Sequence, residues 1–129
     1  MHGIGMSKAP MRLRVSYADQ NESFAQHLPR TGTVQREMRD SEGGDPWLLL
    51  VLDQPFDLQV KIGEPFQFRL AHIDAFLVRS RWQGYDVGDR DDVSVHILVV
   101  ERGKHPAGTE FDVHNFMHIA WGTCDRVVA

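Results

Sequence analysis

Across residues 47–101, apolar and β-branched side chains recur at every second position in runs separated by turn residues. A two-residue period sends alternate side chains to opposite faces of an extended chain, so this stretch predicts a sheet-built core. Residues 47–52 are apolar throughout and lie between Asp45-Pro46 and Asp53-Gln54-Pro55. So short an unbroken run predicts a central strand covered on both faces. Leu58, Val60 and Ile62, followed across Gly63-Glu64-Pro65 by Phe66, Phe68 and Leu70, predict a hairpin. Farther on, Phe76, Val78, Ser80 and Trp82 oppose Ala75, Leu77, Arg79 and Arg81, and Val93, Val95, Ile97 and Val99 form the stripe of a partner strand. The alternation places Arg79 and Arg81 on one side of their strand and Trp82 on the core side. Residues 83–92, between these two strands, are longer than a typical hairpin connection and include Gly84 and Gly88.

The flanks are less regular. Met11, Leu13 and Val15 alternate with Arg12, Arg14 and Ser16, which predicts an opening strand. Tyr17, Phe24 and Leu28 then fall on one side of a short helix capped by Ser16 or Asp19 and ended by Pro29. Residues 31–46 are polar, contain Gly32, Gly43 and Gly44, and predict an excursion over the surface. Near the C-terminus, Thr109 and Asp112 resemble a capping box, and Val113, Phe116, Met117, Ala120 and Trp121 are spaced for a helix closed by Gly122. The competing strand stripe is Phe111, Val113, Met117, Ile119 and Trp121. The expected fold is α+β and β-rich: about six antiparallel strands in a small barrel or strongly twisted sheet, with a short N-terminal helix and a C-terminal helix.

Composition narrows the setting. A chain of 129 residues fits a single domain over 11–129, with residues 1–10 read as a flexible or vector-derived start. A single cysteine, Cys124, closes no internal disulfide and points to a reducing, cytoplasmic compartment, and no apolar run approaches the length of a membrane span. The net charge is -4, and residues 1–45 are balanced in sign, so the negative excess lies in the later part of the chain. Without a bulk basic excess, a duplex nucleic-acid binder is not the expected class.

Three places carry candidate chemistry. His114 and His118 are four residues apart, with Asp112 before them and Cys124 after. That spacing puts both imidazoles on one face and makes His114, His118 and Asp112 a candidate zinc site, provided another donor such as His72 or His96 converges. No Glu follows the first His, so the metalloprotease helix is excluded. The segment Arg79-Ser80-Arg81-Trp82-Gln83-Gly84-Tyr85 mixes guanidinium forks with aromatic rings, a combination suited to anions, carboxylates or stacked bases. The acidic run from Asp86 to Asp92, including Asp89, has carboxylates around a glycine without the ligand order of a calcium loop. Within it, Gly84-Tyr85-Asp86-Val87-Gly88-Asp89 resembles rim turns of small β-barrels, including those of the PUA-like and ASCH groups of RNA-associated domains. That resemblance spans six residues and carries no function over.

Catalysis has little support in the sequence. Asp125 beside Cys124 opposes thiolate formation, the serines lie in no nucleophile-elbow context, and Asp53, Asp57, Asp74 and Glu101 form a carboxylate pair only if the fold joins them. The expected function is a non-catalytic binding or protein-interaction module. It would use the 83–92 loop and the adjacent strand face through Arg79, Arg81, Tyr85 and Asp89, with self-association through an exposed strand edge. The alternatives are a metal-dependent enzyme at His114 and His118, and a single-stranded nucleic-acid or anion binder through Arg79 and Arg81.

Overall fold

A computed structural model describes residues 10–19, 21–63, 67–82, 87 and 92–127. It is mostly strand: β1 (Arg12–Ala18), β2 (Arg30–Asp40), β3 (Trp47–Gly63), β4 (Gln67–Ser80), β5 (Val93–Glu101), β6 (Glu110–Phe111) and β7 (Met117–Arg126), with a single-turn helix α1 (Glu22–Ala25). Hydrogen bonding orders the strands β1-β7-β5-β4-β3-β2-β6 in one mixed sheet, and β1 pairs with β2 as well. Six of the strands thus have an antiparallel neighbour on each side, while β6 joins β2 in parallel. No helix among the described residues is long and apolar enough to cross a membrane.

The alternation seen in the sequence becomes two packed layers. On the inner face, Leu50 lies opposite Phe76, which lies opposite Val99, and this row joins Leu13, Val15, Ile73, Val95 and Ile97 in the main core. Phe24, from α1, seals one end of this core with its ring 5.5 Å from Phe76 and 6.2 Å from Phe56. On the outer face, Leu49 lies opposite Leu77 and Leu77 opposite Leu98, and these pack with Met38, Trp47 and Val100 under Phe111, Val113 and Phe116. The strands β3, β4 and β5 are apolar on both sides because a second element, residues 110–116, covers them from outside.

Three expectations are corrected. Residues 31–40 are not an excursion but the strand β2, and only 41–46 form a loop. Its partner is close: a Cβ on Gly32 would lie 2.4 Å from the Val51 carbonyl oxygen, so glycine there permits pairing rather than marking a linker. The N-terminal helix is shorter than its pattern, with Tyr17 in β1 and Asn21, rather than Ser16 or Asp19, as the cap that accepts from the Phe24 N–H at 3.1 Å. The C-terminal helix is absent: Val113–Asn115 is a 3-10 turn capped by Asp112, and Met117–Arg126 is a strand. Gly122 lies inside that strand, where a Cβ would come 2.2 Å from the Tyr17 carbonyl oxygen. Two neighbouring strands supply hydrogen bonds that an isolated helix of mediocre formers lacked.

Candidate functional site

On the outer face, beyond the patch covered by Phe111, the side chains of β4, β5 and β7 change from apolar to cationic and aromatic. Arg79 stands in register with His96, and His96 with Trp121, so one row across three strands holds a guanidinium, an imidazole and an indole. Their rings stack into a ladder. The Arg79 guanidinium lies 4.4 Å over Trp47, His96 is 5.1 Å from Trp47 and 4.4 Å from Trp121, and Arg81 lies 5.0 Å over Trp121 and 5.2 Å over Trp82. Guanidiniums prefer aromatic faces because the ring quadrupole is negative there. A recess of about 270 Å³ opens beside them, lined by Gly44, Asp45, Arg79, Ser80, Arg81, His96 and Trp121. Gly44, at φ +92°, brings its backbone against Arg79; a Cβ there would lie 3.0 Å from the Arg79 Nη1.

Two guanidiniums and one carboxylate, Asp45, line the recess. Neither Arg79 nor Arg81 has an ion pair or hydrogen bond from its guanidinium among the described residues, whereas Asp45 has a partner of its own. Three of the carboxylates considered for acid–base work are engaged separately: Asp57 by His72 at 2.8 Å, Asp74 by His105 at 2.6 Å, and Glu101 by both terminal nitrogens of Arg69. Asp53 is bound by Arg12, so the four carboxylates considered as an acid–base pair do not meet. Burial pushes the His96 imidazole down to about 4, with His118 and Arg79 opposing its charge as well. It is therefore neutral across the physiological range.

The candidate metal residues separate. His114 bonds Glu42 at 2.9 Å, which raises its affinity for a proton, and Asp112 caps the turn by accepting from the His114 N–H at 3.0 Å. His118 instead shares a hydrogen bond with His96 across β5 and β7. The convergence of a distant histidine is seen, but with His118 alone, and no group of three His, Cys, Asp or Glu side chains suited to a metal occurs among the described residues. Cys124 is buried, and its thiol is pushed up to about 12 by burial and by Asp125, in line with an inert side chain.

Arg79 and Arg81 share one recess, as their alternation required. Trp82 does not enter the core: β4 ends at Ser80, the two-residue period stops with it, and the indole is 58 % exposed. Tyr85, Asp89 and most of the acidic loop lie outside the described residues. The sequence reading missed Trp47, His96 and Trp121 as members of the site. Trp47 read as core, and His96 and Trp121 belong to strands whose register is set only by pairing. No family model, curated protein or solved structure matches this chain.

Proposed function

We propose that this chain is a non-catalytic binding module that recognises an oxyanion, a carboxylate or phosphate group, on the face bearing Arg79 and Arg81, and that its strands close a small barrel behind that face. The observation that supports this reading is the presence of two guanidiniums in one recess, each stacked on an indole and neither in an ion pair or side-chain hydrogen bond among the described residues. Stacking engages a guanidinium through its flat face and leaves its N–H fork for a planar acceptor, which carboxylate and phosphate oxygens match in bidentate fashion. Neutral His96, hydrogen-bonded to His118, lies within the same ladder as a further polar neighbour.

The ladder also favours an anion over stacked nucleobases. Trp121 is already flanked by His96 and Arg81, and Arg81 by Trp121 and Trp82, so the flat surfaces that bases would use are largely taken by the protein's own side chains. Calorimetric titration with inorganic phosphate and with acetate, at constant ionic strength, tests the proposal. Saturable binding weakened about tenfold or more by Arg79→Ala or Arg81→Ala is expected, the loss of one charge-assisted pair being worth about 1.5–3 kcal/mol. Binding left unchanged by both substitutions overturns it.

A further inference from the structure

One step along the strands from the row of Arg79, His96 and Trp121, a second row crosses the same face. The Arg81 N–H donates to the Ser94 carbonyl at 2.8 Å, Ser94 stands in register with Thr123 of β7, and Thr123 with Tyr17 of β1. Their neighbours in sequence decide which way these side chains point. Val93, Val95, Cys124 and Ala18 are buried in the main core, so alternation turns Ser94, Thr123 and Tyr17 to the outer face that bears the arginines. The row runs from Arg81 over β5, β7 and β1, each strand about 4.8 Å from the next.

Hydroxyls near the recess fall into two groups. Ser16 donates to Asp125 at 2.6 Å and Ser80 to the Trp82 carbonyl at 3.0 Å, so both are committed. The hydroxyls of Ser94, Thr123 and Tyr17 have no partner among the described residues. Asp125, the next outward residue of β7, is held by Ser16, by the Asp92 N–H at 2.7 Å and by Arg14 at 3.6 Å, and so does not compete for them. Rings bound the row at both ends, the indole of Trp82 beside Arg81 and the phenol of Tyr17, each 58 % exposed. Hydroxyls that both donate and accept, placed between exposed aromatic faces and next to uncommitted guanidiniums, match a molecule that carries an acid group, hydroxyls and C–H surface together. A sugar with an acid substituent has all three. A fatty acid lacks the hydroxyls, and an inorganic anion lacks the C–H surface.

We propose that the oxyanion met by Arg79 and Arg81 is the acid group of a phosphorylated or carboxylated sugar, whose hydroxyls bond Ser94 and Thr123 and whose C–H face lies on Tyr17. This inference rests on the oxyanion reading and names the class of molecule that the anion belongs to. The probes are inorganic phosphate, glucose 6-phosphate and cyclohexyl phosphate, the last a six-membered ring without hydroxyls. Each is titrated calorimetrically into the full chain at constant ionic strength. Glucose 6-phosphate should bind about tenfold more tightly than cyclohexyl phosphate, as expected for two neutral hydrogen bonds. Glucuronate should show the same preference over cyclohexanecarboxylate. The double variant Ser94→Ala, Thr123→Val should bring glucose 6-phosphate and cyclohexyl phosphate to within about twofold of each other. The comparison of ligands in the parent chain needs no variant, so it decides the matter even if the double variant does not fold. Saturable binding of inorganic phosphate, with glucose 6-phosphate no tighter than cyclohexyl phosphate, overturns this inference and leaves the oxyanion reading in place. The absence of saturable binding by any of the three phosphates overturns both. A folded double variant that keeps the full preference for the sugar also overturns the inference.

Discussion

Strands β4 and β5 present two faces of unlike character, although the same residues alternate between them. Inward, Phe76, Val78, Val95 and Ile97 are buried in the main apolar core. Outward, Ala75, Leu77 and Leu98 begin in the same way beneath Phe111, but the pattern then turns to Arg79 and His96. The difference lies in what covers each face. The inner face is enclosed by the other strands and, at one end, by Phe24 of α1, whereas the outer face is sheltered by residues 110–116 over only part of its extent. Where that shelter ends, aromatic rings carry cations instead of closing a core. The apolar stretch of the outer face thus contributes stability, and the open stretch carries the proposed oxyanion site.

That contrast is testable first through packing. Phe76→Ala removes a fully buried ring in contact with Phe24 and Phe56 and should cost about 3–5 kcal/mol, whereas Leu77→Ala, under the thinner outer layer, should cost about 2–3 kcal/mol. Urea unfolding of both variants checks the order, and a reversed order would place the main core outside. A smaller effect concerns Trp47, whose indole N–H is buried without a hydrogen-bond partner among the described residues. Trp47→Phe gives up ring area but also removes that unsatisfied donor, so its cost should fall below that of Phe76→Ala. Measured by the same unfolding, an equal cost would show that the indole nitrogen is satisfied after all.

Acid provides the next comparison. The unfolded chain protonates His96 near its ordinary value of 6.5, but the folded chain resists until about 4. Between these values the unfolded state binds more protons, so stability present above 6.5 declines as pH falls toward 4. His96→Gln should flatten the decline in melting temperature over that window, and an unchanged slope would remove His96 as its cause. Asp125, held below the usual carboxylate range by Ser16 and by the Asp92 N–H, loses its contribution only at lower pH. The smallest change in stability belongs to Arg79→Ala, where an outer-face cation–π contact is worth about 0.5–1 kcal/mol. Its melting temperature should stay close to that of the parent while its anion affinity falls, and a collapse in stability would make Arg79 structural instead.

Much of this contrast is legible in the order of residues. The hairpin of β3 and β4, the partnership of β4 with β5 and the double apolar character of residues 47–52 all follow from period and turn chemistry. The parts that were hidden depend on partners rather than on pattern. β2 shows little apolar periodicity because, of its residues, only Gly32 and Met38 are buried, and its hydrogen bonds come from β1 and β3. β7 carries helical and extended spacing at once, and pairing with β1 and β5 decides between them. His96 and His118 meet across a register shift between Ile97 and Leu98, a displacement that no local spacing encodes. The guanidiniums were visible as a pair, but two of the rings that support them, Trp47 and Trp121, come from other strands.

The most direct test of the oxyanion site observes the two guanidiniums themselves. In an NMR titration with phosphate against chloride at equal ionic strength, the Nε–H resonances of Arg79 and Arg81 should move together and saturate with phosphate alone, and Arg79→Ala should weaken the response at Arg81. Identical, non-saturating drifts in both salts would contradict the account, leaving the stacked arginines as surface cations with no ligand to recognise.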